Sequence, residues 1–197
     1  QLDEIPDDFC LLTALTKLRL DSNNIDEMPE SMHVRTNLKT LALDRNNLQV
    51  IAPEIVQLAK LTELNYSANF LVEIPGYIKH LKHLTKFDIS KNEIPELCPE
   101  IGQLTELVHL ALSKNLLTFL PETLSNCILL QKLQLNTNKL SFLPQDITQL
   151  TALKVLDLRD NGFTAIAPQL GRLSCITELR LDGNALRTPP GYLSSNT

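Results

Sequence analysis

Apolar and polar residues follow one pattern along the chain, L-x-x-L-x-L-x-x-N-x-L-x-x-L-P-x-x-I-x-x-L-x-x, repeated at a fixed step of 23 residues. The units start at Leu15, Leu38, Leu61, Leu84, Leu107, Leu130, Leu153 and Ile176, with no insertion or deletion between them. In L-x-L, alternate side chains point the same way, as on a β-strand. Leu18 and Leu20 therefore face a core, and Lys17, Arg19 and Asp21 face solvent. Strands are predicted at 17–20, 40–43, 63–66, 86–89, 109–112, 132–135, 155–158 and 178–181. One such strand cannot bury its apolar face alone, but eight stacked strands make a parallel sheet with one continuous core. The second half of each unit, as in Pro121-Glu-Thr-Leu124-Ser-Asn-Cys127, spaces apolar residues three apart behind a proline, which suits a short helix or 3-10 turn. Strands pack ~4.8 Å apart and turns need more room. The stack is therefore predicted to curve, strands concave and turns convex.

Asparagine fills the ninth slot of every unit: Asn23, Asn46, Asn69, Asn92, Asn115, Asn138, Asn161 and Asn184. The chain turns inward there, and the amide is expected to bond backbone groups left unpaired by the bend, in its own and the next unit. Prolines form a second column at Pro29, Pro75, Pro121, Pro144 and Pro190. In three units the proline moves one place on, to Pro53, Pro99 and Pro168, and slightly different turns are expected there. Residues 1–14 read as the tail of an earlier unit, with Leu2, Ile5, Pro6 and Phe9 matching Ile25, Met28, Pro29 and Met32. The eighth unit decays, with Pro189 and Asn196 in core slots. The chain is thus expected to be a portion of a larger protein.

With this register the chain resembles the leucine-rich repeat family over essentially its whole length. The 23-residue form is similar to the intracellular subtype found in Ras-pathway scaffolds, the Scribble and Erbin polarity proteins and plant Ras-group-related repeat proteins. The resemblance implies an α/β repeat solenoid, right-handed and curved, with a concave parallel β-sheet and convex short helices or 3-10 turns. It also implies protein–protein binding. One domain is expected over 1–197: a partial repeat at 1–14, full repeats at 15–37, 38–60, 61–83, 84–106, 107–129, 130–152 and 153–175, and a degenerate repeat at 176–197.

Composition narrows the function classes. The chain has 197 residues, 41 of them leucine, with 21% charged residues and 5% aromatics, which is a globular rather than a disordered composition. A net charge of −5 argues against a general nucleic-acid binder. No apolar run reaches the ~18 residues of a membrane helix. The start, Gln1-Leu2-Asp3-Glu4, has neither the basic residues nor the apolar stretch of a signal peptide. Cys10, Cys98, Cys127 and Cys175 lie in different units without metal-ligand spacing. Reduced thiols and a cytoplasmic location are expected. Cys127 occupies a core leucine slot. No phosphate loop, dinucleotide fingerprint or nucleophile elbow occurs, and neither a catalytic residue nor a cofactor is expected. His80 and His83 stand three apart among Lys79, Lys82, Lys86 and Lys91, which reads as a basic patch on the convex face. Asn65-Tyr66-Ser67 is a formal glycosylation sequon, but its asparagine falls mid-strand.

Function is expected on surfaces the fold leaves unconstrained. On the concave sheet, Asn65, Ser67, Asp88, Ser90, His109, Ala111, Ser113, Gln134 and Asn136 form a small, polar middle between charged ends. That suits a groove floor onto which a partner descends. On the rim after the asparagines, Phe70, Leu116, Phe119 and Phe142 occupy slots that other units fill mainly with polar or small residues. They mark an interface or pack together over the core edge. The chain is read as a monomeric scaffold or adaptor in intracellular signalling that binds a protein partner, without nucleic acid or membrane insertion. The alternatives are the targeting portion of a larger enzyme (a kinase, phosphatase, cyclase or ubiquitin ligase), a bacterial effector, or an extracellular receptor fragment.

Overall fold

The structure, a computed structural model, describes residues 1–5, 11–29, 37–166 and 168–187. Pro6, Phe9, Cys10, Met32, Ala167, Pro189, Pro190 and Asn196 lie outside these residues. Eight strands form one parallel sheet in sequence order: β1 Lys17–Arg19, β2 Thr40–Ala42, β3 Glu63–Asn65, β4 Lys86–Asp88, β5 His109–Ala111, β6 Lys132–Gln134, β7 Val155–Asp157 and β8 Glu178–Arg180. Each strand pairs with the residue 23 places on, as in Leu18 with Leu41 and Phe87 with Leu110. Every strand starts where the pattern puts it and ends one residue earlier. The residue beyond still donates its N–H to the next strand, as Leu20 does to Ala42 O at 2.9 Å.

The stack curves as the spacing argument requires, because 3-10 turns, not strands, line its other side. They run over Pro53–Gln57, Gly76–His80, Pro99–Gln103, Glu122–Asn126, Gln145–Gln149 and Pro168–Arg172. All six begin at the same offset in their units, so the shifted prolines do not alter the turn as expected. The residue before the turn has φ −64° at Ala52, −72° at Pro75 and −63° at Cys98. Proline's locked φ fits that slot, and the first turn position tolerates its missing N–H, so either placement yields one geometry.

The two inward columns of leucine, with Tyr66, Phe87 and Ile89 in three of their slots, are buried from β1 to β7. β8 is the last described strand, and its Leu179 is 38% exposed. Cys127 sits in the core slot that leucine fills in other units, its thiol raised to about 11 by burial. At the other end, Leu2 donates its N–H to Asn23 Oδ1 at 2.8 Å, the bond Ile25 makes to Asn46 Oδ1 at 3.1 Å.

The asparagine ladder is built as expected in kind but runs the other way. Asn115 Nδ2 donates to Leu112 O in its own unit and to Ile89 O in the preceding one, both at 3.0 Å. Its Oδ1 accepts from Ile94 N, also in the preceding unit, at 3.2 Å. A second regular feature beside the ladder is one the pattern did not signal. The residue before each asparagine is left-handed: φ is 61° at Ser22, 56° at Arg45, 54° at Ala68, 57° at Lys91 and Lys114, 58° at Thr137, 52° at Asp160 and 74° at Gly183. Gly183 favours this conformation and Asp160 tolerates it better than most residues, but the other six are of types that avoid it.

Candidate binding face

Strand geometry presents two outward columns on the concave sheet, and a third follows just beyond it. The first strand position carries Lys17, Thr40, Glu63, Lys86, His109, Lys132, Val155 and Glu178. The third carries Arg19, Ala42, Asn65, Asp88, Ala111, Gln134, Asp157 and Arg180. Two residues later come Asp21, Asp44, Ser67, Ser90, Ser113, Asn136, Arg159 and Asp182.

A depression of about 270 Å³ opens on this face, lined by Asn65, Asp88, His109, Ala111 and Gln134 of the nominated residues. Ser67, Ser90, Ser113 and Asn136 lie beside it and are occupied with local bonds. Asn65 Oδ1 accepts from Ser67 N and Asp88 Oδ1 from Ser90 N, each at 2.9 Å, and Ser113 Oγ donates to Asn136 Oδ1. The walls include residues not nominated from the sequence as partner-binding: Arg19, Thr40, Glu63, Lys86 and Lys132. All come from the sheet's two outward columns, four of them from the first strand position. That column was readable as the residue two after each unit's start.

The expected convex basic patch does not exist as one surface. Lys79 and His80 belong to the turn Gly76–His80, and His83 Nδ1 lies 3.2 Å from Glu106 Oε1. Lys86 instead stands on β4, where Nζ pairs with Glu63 Oε1 at 2.7 Å, and Lys91 follows that strand in the left-handed slot. Three residues beyond His83, at Lys86, the chain has already crossed to the concave side.

Charge is organised along the face. At one end Arg45 Nη2 lies 3.3 Å from Asp21 and 3.0 Å from Asp44. At the other, Asp157 is 1% exposed and takes Arg159 Nε and Nη2 at 2.9 and 2.7 Å, with Arg180 at 3.5 Å. Burial pushes the Asp157 carboxyl up, and the bonds and charge of Arg159 outweigh it, holding the pKa below its ordinary value. In the middle, burial and the charges of Lys132 and Lys86 push the His109 pKa down, against a smaller opposite pull from Glu63.

The rim residues are open to solvent: Phe70 is 51% exposed, Leu116 40%, Phe119 38% and Phe142 58%. Phe119 lines a second depression, about 690 Å³, with Val72, Tyr77 and a row of prolines, Pro75, Pro95, Pro99 and Pro121. Among the described residues, no three His, Cys, Asp or Glu side chains gather as a metal site, and no helix is long and apolar enough to cross a membrane.

A leucine-rich repeat family model matches residues 13–71, 36–94, 82–140 and 128–186. Comparison with curated proteins gives no match. Among solved structures, a Leptospira interrogans LRR protein is 36% identical with a TM-score of 0.92, over 95% of this chain and 48% of its own. An internalin from Listeria monocytogenes is 25% identical with a TM-score of 0.82, over 92% of this chain and 52% of its own. The LRR ectodomain of an Arabidopsis thaliana receptor kinase, solved in complex with CASPARIAN STRIP INTEGRITY FACTOR 2, is 29% identical with a TM-score of 0.69, over 92% of this chain and 26% of its own. The chain thus spans about half the length of the first two and a quarter of the third.

Proposed function

Because the chain belongs to the leucine-rich repeat family, we propose that it is a non-catalytic protein–protein interaction module, of scaffold or adaptor type, that receives its partner on the concave sheet. The observation that carries the reading is the depression around Ala111. It is floored by a small side chain and walled by charged ones, none of which the core needs. A signalling role inside the cell belongs to the same proposal and rests on the 23-residue pattern and the scattered cysteines. The plant ectodomain, solved with a bound partner, supports use of this fold for recognition.

A second reading has its own observation. Phe119 and Phe142 are exposed in one column of adjacent units, beside the proline-lined depression, and exposed aromatic patches mark interfaces. The two sites are separated by paired variants once a partner has been captured with the whole domain. Ala111→Trp and Ser90→Trp fill the concave middle with side chains that point away from the core, so folding should change by less than about 0.5 kcal/mol. Phe119→Ala with Phe142→Ala empties the rim. Loss of binding by the tryptophan variants alone supports the concave site. Loss by the alanine pair alone moves the site to the rim, and binding by all variants removes both.

A further inference from the structure

The net charge of −5 is not spread evenly over the concave face. The outward and left-handed positions of β4, β5, β6 and the residues following them hold four lysines, Lys86, Lys91, Lys114 and Lys132, against one carboxylate, Asp88. On the N-terminal side, Lys17, Arg19 and Arg45 balance Asp21, Asp44 and Glu63. On the C-terminal side, Arg159 and Arg180 are outnumbered by Asp157, Asp160, Glu178 and Asp182. Of the flank cations, Arg45 is engaged with two aspartates and Arg159 and Arg180 with Asp157, while Lys17 and Arg19, like the middle lysines, form no ion pair among the described residues. In the middle, Lys86 pairs with Glu63, and Lys91, Lys114 and Lys132 form no ion pair among the described residues. The parallel register sets Lys86, His109 and Lys132 side by side, one strand spacing of ~4.8 Å apart, beside the open floor at Ala111.

We infer that this middle stretch is the docking site for an acidic segment of a partner protein, whose carboxylates seat among Lys86, His109, Lys132, Lys91 and Lys114. The inference rests on the concave reading above. The depression, about 270 Å³, is lined from Arg19 on β1 to Gln134 on β6, so it runs across six strands and suits an extended segment lying along the face. Unmatched cations held together repel one another, and an arriving carboxylate relieves that repulsion while the acidic C-terminal flank fixes its position. The same flank disfavours a phosphate backbone running along the whole face. His109 adds a proton to the balance. The charged groups that face it are Lys132, Lys86 and Glu63. A bound carboxylate raises its proton affinity, so binding takes up a proton and strengthens as pH falls.

The test uses the full chain, a fluorescein-labelled peptide alternating glutamate with alanine, and the same peptide with glutamine. Anisotropy at low salt should give the glutamate peptide roughly tenfold tighter binding or better, weakening as salt rises. Lys86→Glu with Lys132→Glu should abolish it, and the milder Lys86→Ala with Lys132→Ala should weaken it, with unfolding midpoints unchanged. Lys79→Glu with Lys82→Glu, on the turn side, should leave it intact. Affinity should rise from about pH 7.5 to about pH 5.5, above the range where the peptide's own carboxyls protonate, and that rise should vanish in His109→Gln. Equal binding of the glutamine peptide, or indifference to the β4 and β6 reversals, overturns the inference. Tighter binding of a uridine oligonucleotide lost in those same reversals overturns it in favour of nucleic acid. A captured partner lost with Ala111→Trp but kept with the lysine reversals leaves the concave reading standing and removes the acidic segment. A partner kept with both removes the two together.

Discussion

Replacing Asn115 by alanine tests the ladder at its most constrained point. The side chain is 5% exposed and makes three bonds, to Ile89 O, Leu112 O and from Ile94 N. They are not equivalent. Ile89 O also accepts from Asn92 Nδ2 at 3.0 Å, and Leu112 O also accepts from Asn138 Nδ2 at 3.0 Å, so each carbonyl keeps one donor in the variant. Ile94 N has Asn115 Oδ1 as its one acceptor among the described residues. The variant thus loses two bonds worth about 0.5–1.5 kcal/mol each and orphans one buried donor at about 1–3 kcal/mol. The expected cost is ~3 kcal/mol, a fall of roughly 6–12 °C in Tm at 2–4 °C per kcal/mol for a chain this size. Thermal and urea unfolding followed by circular dichroism read it. Asn115→Asp should cost more than alanine. It keeps an acceptor for Ile94 but aims carboxylate oxygen at two carbonyls. A midpoint unmoved by alanine, or an aspartate variant as stable as the parent, would refute the bonding described.

Three further outcomes follow from particular contacts. Ala68 is left-handed, a conformation costing most residues about 1–2 kcal/mol. Ala68→Gly should therefore be neutral or stabilising and Ala68→Val clearly destabilising, and the reverse order of melting temperatures would contradict the assigned backbone. Gly102 lies where an added Cβ would stand 2.1 Å from Thr123 O of the next turn, so Gly102→Ala should lower stability by about 1–3 kcal/mol through overpacking, read as a shift in the urea midpoint. Asp157 has its folded pKa below the unfolded ~3.9, so its contribution is present above that pH and is lost as pH falls through the folded value. In Arg159→Ala the burial effect is less opposed, and acid unfolding should begin at higher pH than in the parent. An unchanged acid midpoint would show that Arg159 does not hold the carboxylate.

The 23-residue period determined most of the architecture. A residue's place in the unit says whether it faces the core, because each unit meets a near copy of itself on either side. Leu18 and Leu41, Asn92 and Asn115, and even Cys127 in its leucine slot needed no more than that arithmetic. The candidate rim was legible for the same reason, since Phe119 and Phe142 differ by one period. Other features depend on geometry that residue type does not carry. Residues as unlike as Ser22, Lys114 and Asp160 share the left-handed slot, because the turn of the sheet imposes it and side-chain preference does not. The asparagines reach back rather than forward, to groups such as Ile89 O and Ile94 N of the preceding unit, and residue type does not announce that direction. The shifted prolines leave the turns unchanged because backbone φ already suited proline at both places. The candidate binding face was least legible. Its character rests on which charges from different units become neighbours and which are cancelled. Lys86 and His83 are close in sequence yet lie on opposite sides of the stack. Lys86, His109 and Lys132 are far apart in sequence yet adjacent in the sheet. Electrostatic energy depends on distance through space, so only the tertiary register decided that the centre of an acidic protein's concave face would be basic.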